Sequence, residues 1–347
     1  MAKFIINFIQ FTVISIVVVA ALLLIVNNPE KLGLLGEVFN DGIEAKIESL
    51  YLNVDGEKPT IIIAGDSRAE RQISPSIIQA QTDTKIINIA VSAGDLSTLI
   101  KALKKYNIDK TTGLFIISAG SFQISDASIG PGYMSINVLN QLTLEEKYSL
   151  FGNHWKIALK MLKYQIRGTL KSYLQKIGLF KKKYPKSILD NYGFNGITGN
   201  FDPEELENSK AYWERNGEIK IPWYKATKTD GIRWENFKKN LFQLSEMRTI
   251  KFIFYQPPVS PAWYNLTKNT KIDQIENQFS LQLKNEILNY PNIMFWDFYN
   301  TKITVLKDSM YYDPMHLNKN GAELFTKHIM NLLINLGSPS NTRIFDN

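Results

Sequence analysis

The stretch that decides the fold is Thr60-Ile-Ile-Ile-Ala-Gly-Asp-Ser67. Its apolar, β-branched run predicts a short strand that is covered on both faces, as strands of parallel sheets are. The run ends in a turn sequence, Gly65-Asp66-Ser67, so a serine follows the strand directly, ahead of a helical region that we expect to begin near Pro75. A side chain at this place lies where backbone N–H groups and a helix N-terminus stabilise negative charge. Ser67 is therefore a candidate nucleophile, although the same triplet is also ordinary turn chemistry.

Similar strand patterns recur along the chain, with helical patterns between them. The further strands are predicted at Lys85–Val91, Gly113–Ser118, Ile250–Tyr255 and Ile293–Phe298. The helices are predicted at Pro75–Gln81, Leu96–Tyr106, Trp234–Met247, Ile272–Leu288 and Asn320–Leu336, the last with Asn320 and Glu323 as its capping pair and Gly337 as its terminator. This alternation predicts an α/β fold with a doubly wound, parallel, five-stranded sheet and right-handed crossovers. In such a sheet the site forms at the carboxyl ends of the strands.

The composition excludes several kinds of site. The chain has 347 residues, a net charge of +7, three histidines and no cysteine. Without cysteine there are no disulfides, thiolate zinc sites, iron–sulfur clusters or cysteine nucleophiles. The sequence also lacks a Walker phosphate loop, a Gly-x-Gly-x-x-Gly after the first strand, a His-Glu-x-x-His helix and a Gly-x-Ser-x-Gly elbow. We expect neither a cofactor nor a metal.

The N-terminus predicts a membrane anchor. Phe4–Val26 contains no charged residue and is long enough to cross a hydrocarbon core of roughly 30 Å as a helix. The alternative is a cleaved secretory signal, but the segment stays apolar after Ala20 and Ala21, where a cleavage site would fall. Lys3 before the span points the N-terminus inward. We expect a single-pass protein of the cell inner (cytoplasmic) membrane whose C-terminal domain is extracytoplasmic.

These patterns divide the chain into six parts. The division is an anchor (1–26), a tether with some helix (27–58), the first part of the sheet domain (59–123), a mainly helical inserted subdomain (124–232), the second part of the sheet domain (233–337) and a polar tail (338–347). The insertion is inferred because more than a hundred residues are too many for one crossover connection.

The insertion contains a basic amphipathic helix, predicted over Trp155–Lys186. This segment has ten basic residues and no acidic residue, so the rest of the chain is slightly acidic. Its apolar residues keep helical spacing. The predicted anchor argues against nucleic acid as a partner, whereas anionic lipid, a membrane-bound partner or an acidic polymer fits the basic face. The alternative is a solvated lysine face over an ordinary core stripe.

A second chemical signal follows the last strand, in Asp313-Pro-Met-His316. A carboxylate and an imidazole three residues apart in a tight turn can meet, so that the carboxylate holds one ring nitrogen and the other faces a nucleophile. The topology brings this pair and Ser67 to the same edge of the sheet. His154 and His328 have no such carboxylate neighbour, and we interpret both as structural residues.

At these residues the chain resembles the SGNH/GDSL hydrolase family, over about 58–120 and 233–336. The resemblance implies that Ser67 is the nucleophile, that His316 is the general base and that Asp313 orients it. It also implies that the backbone N–H groups of Ser67 and Gly94, the latter in Asn88-Ile-Ala-Val-Ser-Ala-Gly94, form the oxyanion hole. Leu317-Asn318-x-x-Gly321 is similar to the family's continuation into its last helix.

One block departs from the family pattern. The family usually has Gly-x-Asn-Asp after the third strand, where this chain has Gly120-Ser121-Phe122-Gln123, so a phenylalanine replaces the asparagine donor. Either the two backbone N–H groups act alone, or Ser121 or Gln123 supplies the missing donor. Losing one donor costs roughly 2.7–4 kcal/mol of the barrier, so the departure bears on efficiency and leaves the mechanism class unchanged.

The anchored architecture is similar to bacterial envelope members of the family, the D-alanyl transfer protein and the alginate O-acetylation proteins. That resemblance implies a serine esterase or O-acyltransferase acting on acyl esters of an envelope glycan or another acylated polymer, beside a membrane-bound O-acyltransferase. The alternative is a weakly active or inactive scaffold that assists such an acyltransferase. Arg68 could bind an anionic group of the polymer or form a structural ion pair. Aromatic residues of the insertion could stack on sugars or form its own core, namely Trp213, Trp223 and Tyr224.

Overall fold

The structure is a computed structural model of the 347-residue chain. It describes residues 43–52, 58–82, 84–92, 94–108, 113–125, 188–189, 193–202, 206, 208, 210, 214–215, 218–219, 227 and 230–337. The predicted anchor (1–26), the basic helix Trp155–Lys186, His154, Trp213, Trp223, Tyr224 and the polar tail (338–347) lie outside the described residues. No helix within the described ranges combines the length and apolar character that a membrane span requires.

A five-stranded parallel sheet forms the centre of the described chain. Its strands are β1 (Ile61–Ala64), β2 (Ile86–Asn88), β3 (Leu114–Ser118), β4 (Lys251–Gln256) and β5 (Ile293–Asp297). They lie in the order β2-β1-β3-β4-β5, and every neighbouring pair is parallel. This is the flavodoxin-like order of a doubly wound sheet, so the predicted fold class is confirmed. The reversal of strand order falls between β1 and β3, where Ser67 follows β1.

Helices flank the sheet on both sides. They are α1 (Ile43–Ile47), α2 (Ser67–Gln72), α3 (Pro75–Gln79), α4 (Leu96–Tyr106), α5 (Ile232–Ser245), α6 (Pro261–Thr267), α7 (Lys271–Ile287) and α8 (Lys319–Gly337). Short 3₁₀ turns occupy Ser121–Ile124 and Asp308–Met310, and a π-helical turn occupies Glu48–Leu52.

Capping side chains set two helix starts that the sequence prediction did not give. The helix predicted from Pro75 is present as α3, and a further helix that was not predicted, α2, begins at Ser67, where the Asp66 side chain accepts the Arg68 N–H and caps it. Helix α8 begins at Lys319, where Asn318 Oδ1 accepts the Gly321 N–H, so the cap is Asn318 and not Asn320. It also continues through Gly337, which we expected to end it.

Alternate residues of the strands pack into two separate cores, one on each face of the sheet. In β1, Ile62 packs with α4, α5 and α7 on one face, while Ile63 packs with α2, α3, α6 and α8 on the other. Both side chains are fully buried. Because each face of the sheet is covered, the strands need apolar residues at successive positions, which is the pattern of the Thr60–Ala64 run.

The second half of the predicted tether belongs to the core. Ile43, Ile47, Leu50 and Tyr51 are buried and join the cluster on the α4 side of the sheet. The tether therefore contains helix, as expected, and its described part, 43–52, is packed structure.

Three short antiparallel pairs complete the described chain. Ile188–Leu189 pairs with Asn195–Gly196, and Glu214–Arg215 pairs with Glu218–Ile219, both within the predicted insertion. The third pair, Tyr311–Asp313 with His316–Leu317, carries the Asp-Pro-Met-His turn. Few residues of 124–232 are described, so the mainly helical character of the insertion stays a prediction.

Candidate active site

The structure brings the three predicted catalytic side chains into one hydrogen-bonded chain. Ser67 Oγ lies 2.8 Å from His316 Nε2. On the other side of the ring, His316 Nδ1 lies 2.8 Å from Asp313 Oδ2 and 3.0 Å from Asp313 Oδ1. When Asp313 is ionised it accepts the Nδ1–H, which leaves the Nε2 lone pair facing the Ser67 hydroxyl.

The Asp313–His316 turn folds this way because its aspartate also binds the backbone. Asp313 Oδ1 accepts the N–H groups of Met315 at 2.8 Å and His316 at 2.9 Å, while Asp313 and His316 pair across the short hairpin. Burial alone would raise the pKa of the Asp313 carboxyl. The hydrogen bonds and charge of His316, with the backbone N–H groups, outweigh burial and hold that pKa below its usual value.

A buried glutamine connects this turn to α2, the helix that begins at Ser67. Gln72 Nε2, on α2, donates to the Met315 carbonyl at 2.9 Å, and the Gln72 side chain is fully buried. On the far side of the turn, the Ser260 N–H donates to the Pro314 carbonyl at 2.9 Å. The imidazole is therefore held against Ser67 from two directions. The sequence carried no signal for Gln72, since its partner is 243 residues away.

Beneath Ser67 lies a buried ion pair. The Arg68 guanidinium donates to Asp66 Oδ2 through Nη2 at 2.7 Å and through Nε at 3.1 Å, and both residues are almost fully buried. Ser118 Oγ donates to Asp66 Oδ1 at 2.9 Å. Burial raises the pKa of Asp66, but the Arg68 charge and these hydrogen bonds outweigh it and lower the pKa overall. The structure thus places Arg68 in the structural ion pair that was the alternative to substrate binding.

Two glycines allow the loops of this edge to pack closely. Gly65 has φ +116°, and a Cβ there would collide with Ser118 Oγ. A Cβ at Gly94 would collide with the Gly65 carbonyl oxygen. Only glycine at both positions lets the loop after β2 lie directly against the turn that carries Ser67.

The expected oxyanion donors differ in whether they already have a hydrogen-bond acceptor. Ser67 is the first residue of α2, so its N–H has no acceptor within the helix. The Gly94 N–H donates to the Val91 carbonyl at 2.9 Å, and the Ser121 hydroxyl donates to Glu276 Oε1 at 2.9 Å. Both groups therefore already have acceptors in this structure, and their role toward an oxyanion stays a prediction.

The remaining expected donor, Gln123, lies beside the Gly94 loop. Its Nε2 is 3.4 Å from the Gly94 and Ser118 carbonyl oxygens, distances at which hydrogen bonds are weak. Phe122, at the position of the family asparagine, packs its ring 5.3 Å from Arg68 Cζ. A Cβ at Gly120 would collide with the Arg68 guanidinium, so this block is shaped around Arg68.

A second buried ion pair, which the sequence did not predict, joins Glu70 of α2 to Lys46. Lys46 Nζ lies 3.3 Å from Glu70 Oε1 and donates to the carbonyls of Ala90 at 2.6 Å and Gly193 at 3.1 Å. The other oxygen of Glu70 accepts the Ser92 hydroxyl at 3.0 Å. The pair connects the segment before the sheet domain with the loop that leads to Gly94.

The other described ionisable groups show no second catalytic constellation. The ring of His328 packs edge-on against Phe298 at 5.7 Å, and burial lowers its pKa, as for a structural histidine. Among the described residues, no cluster of three or more His, Asp or Glu side chains is arranged to hold a metal ion.

Fold and site together define a class of protein: a doubly wound parallel α/β domain with a Ser–His–Asp chain at the carboxyl edge of its sheet. Neither a protein-family model nor a curated protein matches the sequence. Among solved structures, the chain is similar to a Streptococcus pneumonia protein described as "a putative platelet activating factor", with 13% identity over 84% of this chain and 91% of that one, at a TM-score of 0.40. It is also similar to a lipase/acylhydrolase from Enterococcus faecalis, with 12% identity over 80% of this chain and 96% of that one, at a TM-score of 0.34.

Proposed function

We propose that the protein is a serine esterase or O-acyltransferase of SGNH type that works through an acyl-enzyme on Ser67. The observation that carries the proposal is the continuous Ser67–His316–Asp313 hydrogen-bond chain, with 2.8 Å at both of its shortest contacts. A hydroxyl, an imidazole and a carboxylate in this order form the arrangement that activates a serine for attack on an acyl carbonyl.

The reaction follows from these three groups. His316 Nε2 takes the Ser67 proton as Oγ bonds to the ester carbonyl carbon, and the carbonyl electrons move onto oxygen. The Ser67 N–H at the start of α2 can donate to that oxyanion. The tetrahedral intermediate collapses with loss of the alcohol, which receives the proton from His316. Water or an acceptor hydroxyl then attacks the acyl-enzyme by the reverse sequence, and the acceptor decides between esterase and transferase.

We place this activity on acyl esters of a cell-envelope glycan, outside the cytoplasm. The support is the apolar segment Phe4–Val26, read as an anchor, and the basic segment Trp155–Lys186, read as the surface for anionic lipid or a membrane-bound O-acyltransferase. A scaffold with little catalysis is the alternative function. The hydrogen-bonded serine and imidazole favour the active enzyme, because a scaffold has no need of them.

A fluorophosphonate probe tests the proposal. The probe should label the full-length protein in detergent, since it reacts with serines activated by a neighbouring base. Ser67→Ala should abolish the labelling, whereas Ser76→Ala should leave it unchanged, because the Ser76 hydroxyl is hydrogen-bonded to the Ser74 hydroxyl and not to a base. A folded wild-type protein that takes up no label would refute the proposed activity. With 4-nitrophenyl acetate as donor and a sugar alcohol as acceptor, the ratio of acetylated sugar to acetate then separates transferase from esterase.

A further inference from the structure

A small polar pocket lies beside the loop that carries Gly94. It has a volume of about 20 Å³ and is bounded by the start of α4, the 3₁₀ turn after β3 and the first turns of α5. The residues that matter for its chemistry are Asp95, Gln123, Arg233, Asn236 and Asn240. The last four are all at least nine-tenths buried.

Two amide atoms in this pocket have no hydrogen-bond partner within the described part of the chain. They are Asn236 Nδ2, a donor, and Gln123 Oε1, an acceptor. Leaving a buried polar group without a partner is unfavourable, so native proteins rarely keep one without a use. Here a donor and an acceptor line the same pocket, which is the pairing that a bound hydroxyl group satisfies, because a hydroxyl accepts one hydrogen bond and donates another.

The charged residues that line the pocket limit the class of ligand that it can bind. The Arg233 side chain disfavours a cation, while the Asp95 carboxylate disfavours an anion. Asp95 is fixed in place because it caps α4, where Oδ1 accepts the Thr98 N–H at 3.1 Å. Asn240 is likewise fixed by its bond to Ser97 Oγ at 2.7 Å. A neutral, hydrogen-bonding group suits this mixed wall best.

The size of the pocket limits the group that it can bind, and its position places it near the sheet edge that carries Ser67. Its volume exceeds the roughly 10–15 Å³ that a single water needs and is too small for a sugar ring, so it admits a hydroxyl or hydroxymethyl group. Gln123 and Asp95 belong to the connections after β3 and β2, the two neighbours of β1, and Ser67 follows β1 in the chain. Gln123 Nε2 lies 3.4 Å from the Gly94 carbonyl oxygen, and the Gly94 loop packs directly against Gly65 in the turn that leads to Ser67, so the pocket adjoins the edge that carries Ser67.

We infer that this pocket is a substrate subsite that binds a sugar hydroxyl or hydroxymethyl group through Asn236 and Gln123, and that it selects acylated sugars over simple esters. The inference rests on the proposed esterase or acyltransferase activity and adds to it a specificity-determining residue, Asn236. The Asn236 amide donates to the sugar oxygen, and the sugar hydroxyl donates to Gln123 Oε1.

The test compares two substrates on the full-length protein in detergent. Their kcat/KM values are measured for methyl 6-O-acetyl-β-D-glucopyranoside and for 4-nitrophenyl acetate, which has no hydroxyl group. Asn236→Leu should lower the ratio of the first value to the second about tenfold, the effect of one lost hydrogen bond. The control Asn277→Leu should leave the ratio unchanged, because the Asn277 amide donates to Asp273 on α7, outside the pocket. An unchanged ratio in Asn236→Leu would overturn the inference while the esterase activity itself stood.

Thermal unfolding separates a binding role from a structural one. Asn236→Leu replaces a buried, unpaired donor by an apolar group of similar size, so its melting temperature should equal or exceed that of the wild type. A melting temperature lowered by several degrees, with the substrate ratio unchanged, would assign Asn236 to the fold and would contradict a subsite.

A binding measurement tests the pocket without turnover. Calorimetry with methyl β-D-glucopyranoside, methyl β-D-galactopyranoside and the methyl glycoside of N-acetylglucosamine is carried out on full-length Ser67→Ala. At least one sugar should bind, and it should bind about tenfold more weakly to the Ser67→Ala/Asn236→Leu protein. Equal binding to both proteins, or binding of none of the three sugars, would overturn the subsite. Failure of the proposed function appears separately, as a wild-type protein that binds sugar but hydrolyses neither ester.

Discussion

At the scale of single residues, Asp66 does two things at once. Its carboxylate caps α2 at the turn that carries Ser67, and it neutralises the buried guanidinium of Arg68. The charge is stabilised by its partners in spite of burial, as the lowered pKa shows. Ser67 therefore lies between two residues whose side chains are fixed by an ion pair, which keeps its Oγ in place relative to His316.

Replacing this carboxylate should change how stability depends on pH. The folded pKa of Asp66 lies below the unfolded value of about 3.9, so its stabilisation is complete above roughly pH 4 and is lost as the pH falls toward the folded pKa. Asp66→Asn should thus lower the free energy of unfolding by about 3 kcal/mol at neutral pH, because the buried Arg68 loses the charge of Asp66. Urea unfolding followed from about pH 7 to pH 3 should show the gap between wild type and variant narrowing below pH 4.

A matched control is Asp230→Asn, at an exposed position. Its unfolding curves should follow those of the wild type at every pH. If the gap for Asp66→Asn stayed constant down to pH 3, Asp66 would not be the charged group that the geometry describes.

At the scale of elements, helix α2 organises the site. Within its six residues, Ser67 meets His316, Glu70 meets Lys46, and Gln72 meets Met315. These partners come from two distant parts of the chain, α1 and the Asp313–His316 turn. The helix is too short to be stable alone, so its position is set by these tertiary contacts.

The Lys46–Glu70 pair should matter strongly for stability. Lys46→Met removes the cation and leaves the Glu70 carboxylate buried, which should lower the free energy of unfolding by about 3–5 kcal/mol in chemical denaturation. The double variant Lys46→Met/Glu70→Met should recover much of this loss, because no buried charge is left without its partner. The surface variant Lys284→Met should change little. A loss below about 1 kcal/mol for Lys46→Met would show that the pair contributes no more than an exposed one.

Particular elements show what the sequence could and could not predict. The five strands were found because each is a short apolar run, and Asp313 and His316 were found because a local turn brings them together. Helix α6 was missed, although Ser260 followed by Pro261 is a recognisable start and Ser260 does cap it. Lys46 and Gln72 could not be found, because their roles depend on partners that only the tertiary fold brings close.

At the scale of the whole molecule, the sheet domain begins earlier in the chain than its first strand. Residues 43–52 supply four side chains to the core and one half of a buried ion pair. The segment that joins the predicted anchor to the domain is therefore shorter than the predicted tether (27–58), and it ends where α1 begins.

Truncation should locate this boundary. A chain that starts at Asp41 should keep a cooperative thermal transition, because it retains the whole described core. A chain that starts at Asn53 loses Ile43, Ile47, Leu50 and Tyr51, and each buried large side chain is worth about 2–5 kcal/mol. That sum is comparable with the total stability of a domain, about 5–15 kcal/mol, so this chain should fail to fold. Circular dichroism melting distinguishes the two results. Identical melting curves would contradict the assignment of 43–52 to the core.

The distance along the chain between Ser67 and His316 also has a consequence for biosynthesis. The two residues are 249 positions apart, and the turn that carries the imidazole is held beside Ser67 by tertiary contacts such as the one between the Met315 carbonyl and Gln72. A growing chain emerges from its N-terminus at about 5–20 residues per second, so Ser67 is made well before its base. Closing so long a loop is among the slower steps of folding. Under the proposed function, Ser67 therefore remains unactivated until the last hairpin has docked, and an incompletely made chain carries no nucleophile able to react with acyl groups around it.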